Sequence, residues 1–83
     1  MAYFVYILQS EKDGSYYVGH TGNLEERLAR HNRGRSQYSK TKLPWKLIHQ
    51  EVFDSRGAAM RRENEIKAMK DRDYILSLVR ASR

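Results

Sequence analysis

Apolar and polar residues follow two different periods along this chain, and the changes of period predict where strands and helices lie. Residues 3–8 are aromatic, β-branched or aliphatic, which is typical of a buried strand. Asp13 and Gly14 form a common hairpin turn sequence, and residues 16–20 return as a second strand. The start of the chain therefore predicts a β-hairpin.

A two-residue turn would also fix how the two predicted strands pair. In that register Ser10 lies opposite Tyr17, and Leu8 lies opposite Gly19. Side chains alternate between the two faces of a sheet, so Tyr6, Leu8, Tyr17 and Gly19 share one face. The sequence thus predicts two phenols on the same side of the hairpin, beside a glycine that leaves space for a close approach.

A helix is predicted directly after the hairpin. Asn23 is a favourable N-cap, and Glu26 occupies the third helical position. The helix extends to about Asn32, and Gly34 can close it. Leu24, Leu28 and His31 recur at helical spacing, so they share one face of this helix, and that face is predicted to pack inward.

The second half of the chain predicts one more strand and two more helices. Residues 33–44 form a polar, basic loop, and residues 45–53 have strand character. Ser55 can cap a helix over about residues 56–69, and a last helix runs through Val79. The apolar positions of the second helix are Ala59, Ile66 and Met69, and Asp71 or Asp73 can cap the third. The order β-β-α-β-α-α fits one domain over residues 1–83.

The amino-acid composition excludes several classes of protein. The chain has 83 residues, 40% of them apolar, which is typical of a folded domain, and it has no cysteine. That absence excludes a disulfide scaffold, a thiol nucleophile and a cysteine-ligated zinc site, and fits a cytoplasmic location. The apolar start is too short to span a bilayer and predicts a strand, so no membrane role is expected.

Positive charge predominates in this sequence, most of all in its middle. The net charge is +6, and residues 27–50 contain no Asp or Glu. Such a segment attracts polyanions, with nucleic acid the leading candidate and a solvated loop that binds nothing the alternative. The expected nucleic-acid contacts are Arg30, Arg33, Arg35, Lys40, Lys42 and Lys46.

One combination of residues suggests chemistry on phosphate. Arg27 and His31 are four residues apart, so they are neighbours on the helix face that packs on the hairpin. This brings a guanidinium and an imidazole to the edge of the face that carries Tyr6 and Tyr17. Arginine binds two phosphate oxygens and stabilises charge in a transition state, and a phenol or imidazole can take a proton from water.

The order and spacing of these residues resemble the GIY-YIG nuclease family. Residues 4–6 stand in for the GIY tripeptide, and residues 17–19, after ten intervening residues, stand in for YIG. Arg27 lies where the family carries its helical arginine, and His31 lies one turn later, where members have His or Tyr. Glu63 occupies the position of the metal-binding glutamate. The resemblance covers nearly the whole chain and is closest to small bacterial stand-alone members.

The resemblance implies an α+β fold with a small three-stranded antiparallel sheet flanked by helices. It implies a metal-dependent endonuclease, with nucleic acid, DNA first, as the substrate. Tyr6 would be the general base with help from His31, Tyr17 would orient the water or the phosphate, and Arg27 would stabilise the transition state. Glu63 would hold one divalent cation, Mg²⁺ or Mn²⁺.

Three alternatives stay open at this stage. Glu63 can simply form a surface ion pair with Lys67, four residues on. The chain can bind a single strand without cleaving it, with Tyr38 and Trp45 available to stack on bases. It can also be an accessory module that takes its specificity from a partner protein.

Overall fold

A computed structural model describes residues 2–34, 39–69 and 71–81. The elements occur in the predicted order β-β-α-β-α-α, with a short 3₁₀ helix at Ser39–Lys42 before the third strand. No helix in the described ranges is long and apolar enough to cross a membrane. The strands are β1 (Tyr3–Ser10), β2 (Tyr16–Thr21) and β3 (Trp45–Phe53), and the helices are α1 (Leu24–Asn32), α2 (Arg56–Met69) and α3 (Arg72–Ala81).

The three strands form one antiparallel sheet with β1 in the centre, in the order β2-β1-β3. The middle of β1, from Val5 to Leu8, is almost completely inaccessible to solvent. A strand covered on both faces is apolar without alternation, which accounts for the continuous apolar run at the start of the sequence. The predicted α+β fold with a three-stranded antiparallel sheet is confirmed.

The predicted two-residue turn is wrong, and with it the predicted register. Leu8 pairs with Tyr17, and Tyr6 pairs with Gly19. The strands are joined by five residues, because Ser10 Oγ accepts hydrogen bonds from the backbone of Lys12 and Asp13 and holds a wider turn. The register differs from the predicted one by two residues, which leaves every side chain on its predicted face.

The two faces of the sheet have different covers. On one face, Tyr6 and Leu8 pack with Trp45, Tyr17 and the leucines of α1. On the other face, Val5 and Ile7 pack against α2 and α3 through Ala59, Ile66 and Ile75. Helices therefore lie on both sides of the sheet, α1 on one side and α2 with α3 on the other. Of the three apolar positions of α2 named from the sequence, Ala59 and Ile66 are buried, whereas Met69 is 51% exposed at the end of the helix.

A β-bulge in β3 explains the irregular pattern of that strand. Ile7 pairs with His49 but Leu8 pairs with Leu47, so Ile48 is the extra residue. One extra residue shifts the alternation of side chains by one position, so the residues on either side of the bulge follow opposite alternation patterns. Leu47 therefore packs on the α1 side, whereas His49 lies on the side of α2.

Hydrogen bonds from side chains fix the helix ends where the sequence places them. Asn23 Oδ1 accepts from the backbone N–H of Glu26 at the start of α1, and Ser55 Oγ accepts from Ala58 at the start of α2. Asp71, rather than Asp73, caps α3 by accepting from the Asp73 N–H. Each such cap contributes about 1 kcal/mol.

An ion-pair network that the sequence did not reveal ties β3 to the two helices beneath it. Glu51 binds Arg62 through two hydrogen bonds of 2.8 and 3.2 Å and also contacts His49. Arg62 donates in turn to the hydroxyl of Tyr74 on α3. Burial alone raises the pKa of Glu51, but the bonds from Arg62 and His49 outweigh burial and lower it. The carboxylate therefore stays charged inside the network.

Asn32, at the end of α1, joins that helix to the start of β3. Its side-chain Oδ1 accepts from the Trp45 N–H at 2.7 Å, and its Nδ2 donates to the Trp45 carbonyl at 3.1 Å. Two bonds to one backbone unit hold α1 against the sheet edge, and hence the arginine and histidine that α1 carries.

Replacing Asn32 with Ala removes both bonds, and we expect the free energy of unfolding to fall by about 1–2 kcal/mol. Urea denaturation measures the change. The matched control is Asn64→Ala, an exposed position on α2, which should change stability by less than about 0.5 kcal/mol. Equal effects of the two substitutions would show that the Asn32 bonds contribute nothing specific.

Candidate active site

The centre of the candidate site is a buried phenol that lies against a glycine. Tyr6 on β1 is only 1% exposed, and its hydroxyl is 3.2 Å from Nε2 of His31 on α1. Gly19 on β2 makes this position possible, since a Cβ there would lie 2.6 Å from Tyr6 Oη. The glycine predicted to leave space therefore does so for the phenol of the neighbouring strand.

Aromatic rings surround this hydrogen bond. The ring of Tyr17 stacks at 6.3 Å from that of Tyr6, and it meets the His31 ring edge-on at 4.6 Å. Trp45 contacts Tyr17 from the other side at 6.2 Å. Trp45 is 3% exposed, so the idea that it stacks on a nucleic-acid base is wrong. It packs against the site from within the core.

Charge and burial set the acidity of the central phenol. Burial and the nearby Tyr17 raise the pKa of Tyr6, Arg27 lowers it through its charge and a hydrogen bond, and the charge of Glu63 raises it, giving about 12. Tyr6 is therefore a neutral phenol at pH 7 in the free protein. These interactions also place Arg27 and Glu63 electrostatically next to the phenol.

His31 is uncharged near neutral pH for related reasons. It is 3% exposed, and burial together with the positive charges of Arg27 and Arg30 lowers the pKa of His31 from its ordinary 6.5. A neutral imidazole can accept a proton, whereas an imidazolium cannot. The site thus holds a neutral base in hydrogen-bond contact with the Tyr6 hydroxyl.

A pocket of about 210 Å³ opens beside this pair. Its lining residues are Tyr17, Arg27, Arg30 and His31. Two guanidinium groups at the opening favour an anion, and a phosphate group is the anion that arginine forks match best. The pocket therefore brings together three of the predicted catalytic residues and one predicted nucleic-acid contact.

Glu63 approaches the site from α2, on the opposite side of the sheet. Its two carboxylate oxygens contact His20 Nδ1 and Lys67 Nζ, each at 2.5 Å. Burial raises the pKa of Glu63, but the bonds from Lys67 and His20 outweigh burial and hold it below its ordinary value. The expected ion pair with Lys67 is thus present. His20, which sequence reasoning missed, is a second partner.

The donor chemistry at Glu63 fits one hydrated divalent ion. Mg²⁺ commonly takes a single carboxylate, keeps several waters and uses substrate phosphate as a further ligand. Glu63 is ionised, and the Lys67 side chain is 52% exposed, so it has room to move off the carboxylate. Within the described ranges, no cluster of three or more His, Asp or Glu side chains forms a closed metal cage.

The other predicted nucleic-acid contacts have separate surroundings. Lys42, in the 3₁₀ helix, forms an ion pair of 3.1 Å with Asp13 in the hairpin turn, so its charge is partly neutralised. Lys40 and Lys46 are exposed, and Arg33 is exposed at the end of α1. Arg35, like Tyr38, lies outside the described residues. Of the five predicted contacts that the structure describes, Arg30 lines the pocket.

The fold and the site together define a small α+β domain in which a buried tyrosine and histidine lie beside a pocket lined by two arginines. A sequence profile of the GIY-YIG catalytic domain matches residues 2–74. The chain belongs to the GIY-YIG family. Members of this superfamily are typically endonucleases that act on nucleic acid and generally use divalent metals.

Individual relatives agree with this assignment. A UPF0213 protein of Staphylococcus haemolyticus is 50% identical over 66 residues, which cover 78% of this chain and 79% of that protein. A UPF0213 protein of Natronomonas pharaonis is 44% identical over 68 residues, covering 81% and 79%. The solution NMR structure of a UPF0213 protein from Bacillus halodurans superimposes with a TM-score of 0.62 at 34% identity, covering 98% of this chain and 85% of that one.

The close approach at Gly19 can be tested by adding one methyl group. Gly19→Ala would place a Cβ 2.6 Å from Tyr6 Oη and 2.8 Å from its Cζ. We expect the phenol to move off His31 and the free energy of unfolding to fall by about 1–3 kcal/mol. Urea denaturation and the NMR shift of His31 Nε2 report the two effects.

Gly57→Ala is the matched control, because nothing lies within 4 Å of its added Cβ at the start of α2. It should raise stability by up to about 1 kcal/mol, as Ala for Gly does in helices. An unchanged His31 signal in Gly19→Ala would contradict the packing described here.

The lowered pKa of His31 predicts how stability depends on pH. The folded chain disfavours protonated His31, so the unfolded chain binds more protons below pH 6.5. The stability due to His31 is complete above pH 6.5 and is lost as the pH falls through the lowered pKa. An NMR titration of His31 measures the midpoint directly.

We expect Arg30→Gln to raise that midpoint, because it removes one of the positive charges that lower it. Arg61→Gln makes the same charge change at an exposed position on α2 and should leave the midpoint unchanged. Equal midpoints in all three proteins would contradict the electrostatic explanation.

Proposed function

We propose that this chain is a divalent-metal-dependent phosphodiesterase that cleaves nucleic acid, with DNA as the first substrate to test. The observation that carries the proposal is the hydrogen bond between Tyr6 and neutral His31, beside a pocket flanked by Arg27 and Arg30. Membership of the GIY-YIG family supports the reaction class. Residues 1–83 would act as a single nuclease domain.

The pocket would hold the phosphate that is cleaved. Arg27 would bind two of its oxygens and stabilise the extra negative charge of the pentavalent transition state. Arg30 would add a second positive charge at the opening. Tyr17, on the wall of the pocket, would orient the attacking water or the phosphate.

The proton of the attacking water would pass through Tyr6 to His31. With a pKa near 12, only on the order of one Tyr6 in 10⁵ is ionised at pH 7, so a free phenolate is a poor base. Tyr6 Oη can instead take the water proton while its own proton moves to His31 Nε2, 3.2 Å away. No free phenolate forms in such a concerted transfer.

Substrate binding would strengthen this base. Arg27 and Arg30 lower the pKa of His31 in the free protein. A phosphate bound between them adds negative charge, which offsets their effect and favours the imidazolium that the reaction produces. The same arginines would therefore bind the substrate and, together with burial, keep His31 neutral before the substrate binds.

Glu63 would hold the divalent ion after Lys67 moves away. The bound ion would supply positive charge to neutralise the leaving oxygen. His20 touches the same carboxylate and would keep it oriented. Mg²⁺ and Mn²⁺ both suit this ligand set.

A second candidate is a nucleic-acid-binding module that does not cleave. The observation that favours it is the full pairing of the Glu63 carboxylate with His20 and Lys67. If those contacts persist when nucleic acid binds, the positive charge of Lys67 would keep a metal ion away from the carboxylate. Binding would then be salt-sensitive without turnover.

One assay distinguishes the two candidate functions. Labelled linear, nicked, single-stranded and branched DNAs and matching RNAs are incubated with Mg²⁺, Mn²⁺ or chelator. We expect metal-dependent cuts by the wild type, reduced at least about 100-fold in Glu63→Gln.

Glu65→Gln is the matched control. This carboxylate lies two residues along the same helix, is 66% exposed and pairs with Arg62 instead. It should cleave like the wild type. Binding by all three proteins without any cleavage would overturn the phosphodiesterase proposal and leave the binding module.

A further inference from the structure

A second basic groove adjoins the candidate active site. It has a volume of about 410 Å³ and shares Arg27 and Arg30 with the active-site pocket. From there it continues past Thr21 and Gly22, at the end of β2, to Arg56, the first residue of α2. The groove therefore passes around one end of the sheet, from the layer of α1 to the layer of α2.

The charge of this groove is positive. Three arginines line it and one carboxylate, Glu26, opposes them. Glu26 is already engaged, since its Oε2 accepts a hydrogen bond from the side chain of Asn23 at 3.4 Å. The groove keeps an excess of guanidinium groups, whose forked N–H donors match phosphate oxygens.

The side chain of Arg56 is positioned by a contact that does not engage its N–H hydrogen-bond donors. Its guanidinium carbon lies 5.3 Å from the centre of the Tyr3 ring, a cation–π contact. In the described parts of the chain, no carboxylate forms an ion pair with Arg56. The side chain is thus ordered by Tyr3 while its N–H groups stay open to a ligand.

Continuity with the active-site pocket indicates which ligand fits. A phosphate between Arg27 and Arg30 belongs to a chain of phosphates if the substrate is a nucleic acid. The next phosphate of that strand would lie outside the pocket. The groove that leads out of the pocket places Arg56 where it can bind that phosphate. A strand of linked phosphates, unlike an isolated phosphate, can occupy the pocket and the adjoining groove at the same time.

We propose that this groove is a binding subsite for a nucleic-acid strand, in which Arg56 binds a phosphate next to the one held in the active-site pocket. The inference rests on the proposed function for the position of the cleaved phosphate. It adds a contact residue, Arg56, and a direction for the strand, around the end of the sheet towards the start of α2.

The test is a binding measurement in the presence of chelator, so that cleavage is not involved. Fluorescence anisotropy follows a labelled oligothymidylate of about 12 nucleotides from about 50 to 200 mM salt. Arg56→Gln should weaken binding about threefold or more at the lower salt concentration. Its affinity should then fall about 2.5-fold less than that of the wild type across the range, because one phosphate contact is gone.

Three variants serve as controls. Arg61→Gln makes the same charge change on the exposed side of α2, and Arg72→Gln removes another arginine stacked on a tyrosine, 5.1 Å from the Tyr16 ring. Both should bind like the wild type. Arg56→Lys keeps the charge and should retain the wild-type salt dependence.

The outcomes separate the subsite from the reaction. Arg56-dependent binding in a protein that never cleaves would support the subsite and overturn only the hydrolysis. Cleavage and binding that are both indifferent to Arg56→Gln would overturn the subsite and leave the phosphodiesterase. An acidic peptide or inorganic phosphate that competes with the same dependence on Arg56 would overturn the assignment to a nucleic-acid strand.

Discussion

The candidate site depends on the close contact between the phenol of Tyr6 and the backbone of Gly19. Any larger residue at position 19 would occupy the space of the Tyr6 hydroxyl. Only with that space open can the phenol extend across the neighbouring strand and reach His31 on α1. The glycine of the second tripeptide and the tyrosine of the first are thus parts of one packing arrangement, which is a physical reason for their joint occurrence in this sequence.

The two faces of the sheet carry different kinds of side chain. Val5 and Ile7 pack on Ala59, Ile66 and Ile75 in an apolar cluster, and the Glu51–Arg62–Tyr74 network ties the helices to the sheet on that side. The other face buries a phenol and an imidazole under α1, beside two arginines. This face stabilises the free protein less than the apolar face does, because burial and neighbouring positive charge both perturb the pKa values of its titratable groups. The bulge at Ile48 lets β3 contribute to both faces.

Positive charge is concentrated where two pockets meet. Arg27 and Arg30 belong to the pocket beside His31 and also to the groove that leads to Arg56. In the free protein these positive charges add to the effect of burial in lowering the pKa of His31. An anion bound between these arginines would relieve that repulsion and raise the basicity of the imidazole.

Local sequence patterns were enough to predict the order of the elements, the helix caps at Asn23 and Ser55, and the face shared by Tyr6 and Tyr17. These features depend on local capping and on side-chain period, which neighbouring residues encode. The strand register, the burial of Trp45, the pairing of Lys42 with Asp13 and the position of Arg56 beside Arg27 and Arg30 depend instead on the folded chain. A period of two cannot distinguish registers that differ by two residues. Contacts between residues far apart in the chain follow from how helices pack on the sheet, which no local pattern contains.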